Sequence, residues 1–228
     1  MADFPFLGIS RDRAYPTPAS AMREPFIGDI VETSQPTFKA VSFADMERHA
    51  YIEDDFLREL VEFYIDAAVA HIEQTTGHLL GERTVMQSHR RFPWGRRPFM
   101  LMRVPLSAGL DPAIKYTDIN GVEQTMAAAD VEVYRGAQLQ TGATVGLAMN
   151  ADWPDDAADQ FPGIVRIEYT AGYPDKASIF TPLRQAILML AAHWYENRAA
   201  YAQDGRSPTD VPTAFEALID NYRLHRGP

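Results

Sequence analysis

The chain has 228 residues, of which 46% are hydrophobic and 11% aromatic, enough for one full domain with a sizeable core. Its formal net charge of -10 excludes a protein whose whole surface grips nucleic acid, because that affinity comes mainly from neutralised phosphates. The sequence has no cysteine, which excludes disulfides, thiolate metal sites and a cysteine nucleophile, and no stretch approaches the ~20 apolar residues of a membrane span.

The first 40 residues contain five prolines among isolated apolar residues, without helical or strand periodicity. They also lack the basic start and apolar run of a cleaved signal. This composition predicts an extended N-terminal arm over residues 1–40. Such a segment buries little apolar surface alone, so we expect it to be ordered by a folded body or a partner.

Two helices are predicted after the arm. Ser42 with Asp45 three residues later is a capping-box pattern, which predicts a short helix over residues 43–50. The stretch EDDFLRELVEFYIDAAVAHIEQTTG then predicts a helix of about six turns that ends at Gly77. The apolar residues at helical spacing in this stretch are Phe56, Leu57, Leu60, Val61, Tyr64, Ala68 and Ile72.

From residue 83 to residue 173 the periodicity falls toward two, in short runs bounded by Pro, Gly, Asn and Asp. This pattern predicts a small antiparallel β module. Asn120-Gly121 lies between AIKYTD and VEQTM and predicts a hairpin, since both residues tolerate positive φ.

Helical spacing returns at the C-terminal end. Thr181 is predicted to cap a helix with Pro182 in its first position, and the apolar stripe that follows reaches about Tyr201. The segment VPTAFEALIDNYRLHR predicts a last helix after a polar break. The predicted fold class is therefore α+β: a mainly helical core of about four helices (41–82 and 174–228), an inserted β module (83–173) and the arm (1–40).

The stretch AAHWYENRAA, residues 191–200, resembles an active site in composition. His193 and Glu196 lie one turn apart and could form half of a di-iron site, but no Glu-x-x-His on the long helix supplies the other half. No serine-elbow, P-loop or dinucleotide motif is present either. We therefore expect no catalytic residue, metal or cofactor, with Glu196 and Arg198 as polar ends of a helix whose Trp194 is in the core.

One charge segregation is a candidate interface. Residues 83–103 contain six arginines and no acid, interleaved with aromatic residues, whereas residues 150–160 contain four aspartates and no base. Arginine suits contacts with nucleic acid or with an acidic protein face, and the alternative is a solvated hairpin. The interface candidates are Arg90, Arg91, Arg96, Arg97, Asp152, Asp155, Asp156 and Asp159.

The order of several segments resembles the head-tail connector, or adaptor, proteins of long-tailed bacteriophages and gene transfer agents. The resemblance covers residues 41–224. Its most specific parts are YTDINGVEQT, YTAGYP and AILMLAAHWYENR, so that His193, Trp194, Tyr195, Glu196 and Arg198 belong to a structural signature.

The resemblance implies a virion protein of the neck, assembled in the bacterial cytoplasm, that forms a ring of twelve copies. The ring would join the portal to the stopper and tail while double-stranded DNA passes through it. Complementary charges on opposite sides of each protomer would then set the ring register. The alternatives are a small metal-dependent or hydrolytic enzyme centred on His193 and Glu196, or a free-standing module that binds an acidic partner.

Overall fold

The computed structural model describes residues 27–52, 55–136, 142–158, 163–197 and 213–224. These ranges contain four α-helices and two antiparallel sheets, which confirms the predicted α+β class. The helices are α1 Phe43–Ala50, α2 Arg58–Thr76, α3 Thr181–Glu196 and α4 Thr213–Ile219. The strands are β1 Ile27–Glu32, β2 Arg83–His89, β3 Phe99–Met100, β4 Ala113–Thr117, β5 Glu123–Thr125, β6 Val131–Tyr134, β7 Thr144–Leu147 and β8 Val165–Ala171.

The larger sheet has the strand order β1-β2-β8-β4-β5, and the smaller one β3-β7-β6. At the centre of the larger sheet, β2 and β8 pair over their full length, from Arg83 opposite Ala171 to His89 opposite Val165. The predicted hairpin is confirmed, because β4 and β5 pair around a turn in which Gly121 has φ +80°. The Asp118 carboxylate accepts hydrogen bonds from the Asn120 and Val122 amides, both at 2.9 Å, and so fixes this turn.

Strand β1 comes from the segment predicted as an arm. It pairs along one edge of β2, with an irregular register after Ile27. Sequence periodicity did not indicate this strand, because its residues 28–32 are exposed or half-buried and none is fully buried, so no regular apolar alternation is required. Residues 1–26 lie outside the described residues, so the prediction of an arm there stays a prediction.

Helix α1 begins as predicted. The Ser42 side chain accepts from the Asp45 amide and the Asp45 carboxylate accepts from the Ser42 amide, which completes the capping box. Asp45 also binds Lys176, which ties α1 to the loop before α3. Burial by itself would raise the pKa of Asp45, but the hydrogen bonds from Lys176 and Ser42 outweigh it and hold that pKa well below its usual value.

Helix α2 ends as predicted at Gly77, in the left-handed region at φ +81°. One of the apolar residues counted at helical spacing, Phe56, is not on the buried side of the helix, since it is 89% exposed. A short 3-10 turn, Asp55–Leu57, precedes the helix and gives Phe56 a direction that helical periodicity does not predict. The buried residues of α2 are Val61, Ile65, Ala68, Ile72, Glu73 and Thr76.

The start of α3 also differs from the prediction. The N-cap residue is Phe180, which makes no side-chain capping bond, and Thr181 is already helical. The predicted apolar stripe of α3 is buried from Leu183 to Ala191. Helix α4 buries Phe215 and Ile219, and a 3-10 turn, Asp220–Tyr222, extends it.

The buried residues form two cores. One lies among the four helices, and the other lies between the two sheets. Gly172 lies at the junction of the two cores. Its φ is +124°, and its backbone approaches Gly81 and Glu82 so closely that a Cβ atom at this position would clash with them. The chain returns to this junction at its C-terminal end, where the Leu224 amide donates to the Thr76 carbonyl at 3.0 Å.

Candidate assembly surface

The arginine-rich segment divides into two groups. Arg83 and Arg103, at its two ends, are internal. Arg83 binds Glu73 at 2.6 Å and Glu32 at 2.7 Å, and Arg103 lies 3.4 Å from Glu32. The four charged groups link α2, β1 and β2 at the junction of the two cores. These two arginines therefore hold the fold together and are not part of a contact surface.

Glu73 is the buried member of this network. Its carboxylate also accepts a hydrogen bond from the Leu80 amide at 2.8 Å. Burial raises the pKa of Glu73 above its ordinary value, while the Leu80 amide and the Arg83 guanidinium act in the opposite direction. Because the group is buried, its partners cannot be replaced by water, and loss of one of them would be costly.

The other arginines lie on the loop between β2 and β3, residues 90–98, called here the tip loop. Arg90, Arg91 and Arg97 are exposed and make no ion pair with any described residue. Trp94 is 61% exposed at the same loop. An exposed tryptophan among unpaired arginines has the composition of a binding surface, since Trp and Arg are the residues most enriched in interface hot spots.

Arg96 has a different role. Its guanidinium donates hydrogen bonds to the carbonyl groups of Ala148, Met149 and Ala151, and it lies 3.5 Å from the Asp152 carboxylate. These contacts fasten the tip loop to the loop that follows β7. Arg96 therefore positions the tip loop within its own chain.

Aromatic stacking joins the same two loops. The ring of Phe92 stacks on the ring of Trp153 with centroids 5.0 Å apart, and Phe99 meets Trp153 edge-on at 5.3 Å. Phe99 is fully buried and Phe92 is half-buried. Of the three aromatic residues interleaved with the arginines, Trp94 alone is therefore directed to solvent.

These contacts correct one expectation. The basic and acidic segments were expected on opposite sides of a protomer, but Arg96 contacts the loop that contains Asp152, so the two segments are adjacent. Asp152, Asp155 and Asp156 are all exposed; Asp152 lies beside Arg96 of the tip loop, whereas the Asp156 carbonyl accepts a hydrogen bond from the Ile119 amide of the β4–β5 turn. Asp159 lies outside the described residues. The physical reason is the Phe92–Trp153 contact, which no charge pattern reveals.

The structure also locates the signature residues of α3. Trp194 is partly buried against the helical core and meets His71 edge-on at 6.4 Å. The Asn197 side chain lies 3.3 Å from Nδ1 of His193, and Glu196 is exposed. Arg198 lies outside the described residues. Within the described ranges, no three His, Asp or Glu side chains are grouped in a way that could hold a metal ion.

A second exposed surface was missed by the sequence analysis. Phe63 of α2 is 66% exposed, on the side of the helix that faces away from the core and among the exposed acids Glu59 and Asp66. The signal was present in the sequence, since Leu60, Phe63, Ala67 and Ala70 follow one another at helical spacing. Of these four residues, only Leu60 was counted among the apolar residues at helical spacing.

The fold is similar to that of chains in the virion and neck of gene transfer agent particles. The chain matches a chain in the virion of a native gene transfer agent particle with a TM-score of 0.67 and 25% identity, over 87% of this chain and 97% of that chain. It matches a chain in the neck of a native gene transfer agent particle computed with C12 symmetry with a TM-score of 0.66 and 25% identity, over 88% and 98%. A chain in the neck of an empty particle, computed with C6 symmetry, is similar in fold at 23% identity, with a TM-score of 0.67 over 88% and 98%.

A protein-family model also matches part of the sequence. The family model of phage gp6-like head-tail connector proteins matches residues 154–223, which include β8, α3 and α4. The resemblance stated from the sequence is thereby confirmed. A search of curated protein sequences gives no match.

The matched family and structures consist of structural neck proteins and not of enzymes, which confirms the expectation of a non-enzymatic protein. They support a structural neck or connector role. The part of the chain described by the structure contains no helix that is both long and apolar enough to cross a membrane.

Proposed function

We propose that this protein is a ring-forming head-tail connector in the neck of a phage-like particle. The observation that carries the proposal is the fold match over 88% of the chain to a neck protein in a structure computed with C12 symmetry. The ring would have twelve copies, bind the portal on one side and a stopper or tail protein on the other, and surround the passing DNA. It would be assembled in the bacterial cytoplasm and retained in the virion.

The division of the arginines supports this role. A connector has to present contact surfaces while its own fold stays rigid, and the chain separates the two tasks. Arg83 and Arg103 stabilise the junction of the two cores, whereas Arg90, Arg91 and Arg97 remain available at the tip loop. We propose that the end of the β module with the tip loop and Asp152, Asp155 and Asp156 is an assembly surface.

The proposal is tested by imaging particles in which this chain carries a small label at its C-terminal end. We expect twelve labels in a ring between the capsid and the tail, and capsids without attached tails when the chain is deleted. A label outside the neck, or normal tail attachment after deletion, would contradict the proposal.

The signature residues of α3 provide a second test against the enzymatic alternative. We expect His193→Ala and Glu196→Gln to change thermal stability or neck assembly. Neither substitution should abolish a catalytic activity. Metal analysis of the purified chain should find no stoichiometric transition metal. One bound metal per chain would favour the enzymatic alternative.

A further inference from the structure

The proposal below rests on the proposed function, because a ring with rotational symmetry needs a head-to-tail contact between two unlike faces of each copy. Two exposed surfaces of this chain differ in their chemistry and fit that requirement. One is the tip loop, residues 90–98. The other is the side of α2 that is turned away from the core, called here the outer face of α2.

The outer face of α2 is centred on Phe63. On the helix, Phe63 lies opposite the buried row that contains Val61, Ile65 and Ile72. Leu60 and Ala67 flank it on one side, and Glu59 and Asp66 flank it on the other. A surface helix of a monomeric protein carries polar residues on this side, whereas a helix that is apolar all round is typical of a buried position. Phe63 departs from the polar pattern, since it is 66% exposed and the described residues therefore leave most of its side chain uncovered.

The tip loop has the complementary composition. Trp94 is its exposed aromatic residue, and Arg91 and Arg97 are its exposed cations. Arg96 holds the loop by three carbonyl groups, and Phe92 stacks beneath it on Trp153. Because the loop is already held in place, little conformational freedom is lost when it binds a partner.

We propose that the tip loop of one subunit binds the outer face of α2 of the next subunit in the ring. Trp94 would pack on Phe63, and Arg91 and Arg97 would lie against Glu59 and Asp66. Both aromatic residues are more than half exposed in the single chain, so they do not cover one another within it. Charge complementarity thus identifies the occupant as a second copy of this chain.

The cysteine-free sequence permits a direct test in particles. Phe63→Cys and Trp94→Cys are introduced together, and assembled necks are treated with a short bis-maleimide. We expect a ladder of linked subunits for the double variant and none for either single variant. As a matched control, Glu132→Cys on strand β6 replaces Trp94→Cys and should give no ladder with Phe63→Cys.

A charge exchange tests the same contact without cross-linking. We expect Arg91→Glu with Arg97→Glu to weaken each subunit contact about tenfold, since exposed pairs contribute modestly. Glu59→Arg with Asp66→Arg should restore neck assembly in that background. The control Glu132→Lys should not restore it. Circular dichroism on the purified variants verifies that each one is folded.

Three outcomes would overturn the proposal. The first is an intact neck without a Phe63→Cys to Trp94→Cys ladder. The second is a ladder from Phe63→Cys alone, which indicates a contact between like faces. The third is normal ring assembly of the Arg91→Glu, Arg97→Glu variant together with loss of binding to a duplex DNA fragment, which assigns the tip loop to DNA. Absence of the wild-type chain from the neck would instead contradict the proposed function itself.

Discussion

The two ends of strand β2 carry arginines in opposite surroundings. At the first end, Arg83 is enclosed by Glu73 and Glu32, which come from α2 and β1. Beyond the other end, Arg91 and Arg97 are exposed on the tip loop, and neither forms an ion pair with a described residue. The same residue type in one continuous basic segment therefore stabilises the fold at one end and remains available for partners at the other. The acids that make this difference come from remote parts of the chain.

The largest expected effect comes from the enclosed end. Arg83→Met should destabilise the chain by about 3 to 5 kcal/mol, because it leaves the buried Glu73 carboxylate without its closest cation. Urea unfolding measures this effect. The matched control Arg97→Met, at the exposed end, should stay within about 0.5 kcal/mol of the wild type. Equal effects of the two substitutions would remove the distinction between the two ends.

Adding Glu73→Gln to Arg83→Met sharpens this test. The amide oxygen of Gln can still accept from the Leu80 amide, and no buried charge remains unpaired. We expect the double variant to be more stable than Arg83→Met alone. If it is equally unstable, the cost of Arg83→Met comes from lost packing and not from the buried charge.

Alanine substitutions at two glycines compare the backbone at the junction of the two cores with the backbone of the tip loop. Gly172, at the junction, should not tolerate alanine, since its φ of +124° is strained for other residues and the Cβ atom would clash with the backbone of Gly81 and Glu82. We expect Gly172→Ala to cost at least about 2 kcal/mol. A Cβ atom added at Gly95, on the tip loop at φ +63°, would meet no described atom within 4 Å beyond its chain neighbours, so Gly95→Ala should cost about 1 kcal/mol. Thermal unfolding compares the two, and a larger effect at Gly95 would contradict the account.

The aromatic residues of the tip loop give a smaller contrast. Phe92→Leu removes the stacking contact with Trp153 and should cost about 1 to 2 kcal/mol. Trp94→Leu, two residues away at an exposed position, should change stability by less than about 0.5 kcal/mol but should impair neck assembly. The measurements are unfolding of the purified chains and tail attachment in particles. Loss of stability without loss of assembly in Trp94→Leu would show that the residue belongs to the fold.

The smallest expected effect is that of Asp45 on the pH dependence of stability. Its folded pKa lies below the ordinary value of 3.8, so the stability it contributes is present above that pH and is lost as the pH falls toward the folded pKa. Asp45→Asn should cost about 1 kcal/mol at neutral pH through a weaker capping box. In Asp45→Asn, the free energy of unfolding should also decrease less steeply below pH 3.8 than it does in the wild type, as measured by acid unfolding. An unchanged acid profile would mean that other carboxylates control it.

Local sequence determined much of the fold. The capping box at Ser42, the Gly77 helix end and the Asn120-Gly121 turn depend on hydrogen bonds and backbone angles within a few residues, so each was predicted correctly. The buried stripe of α3 was predicted for the same reason, since helical spacing alone places those side chains on one side. The sequence by itself also indicated the resemblance to head-tail connector proteins, and it contains none of the catalytic motifs that were considered.

The tertiary structure decided which charged and aromatic residues are available to partners. Arg83 is internal because Glu32 and Glu73, distant in sequence, meet it, and Arg96 is held by carbonyl groups of a loop more than fifty residues away. The exposure of Phe63 likewise depends on which side of α2 the other helices cover. Such contacts join segments that are far apart in the chain, and their energies depend on burial, which neither composition nor local periodicity specifies.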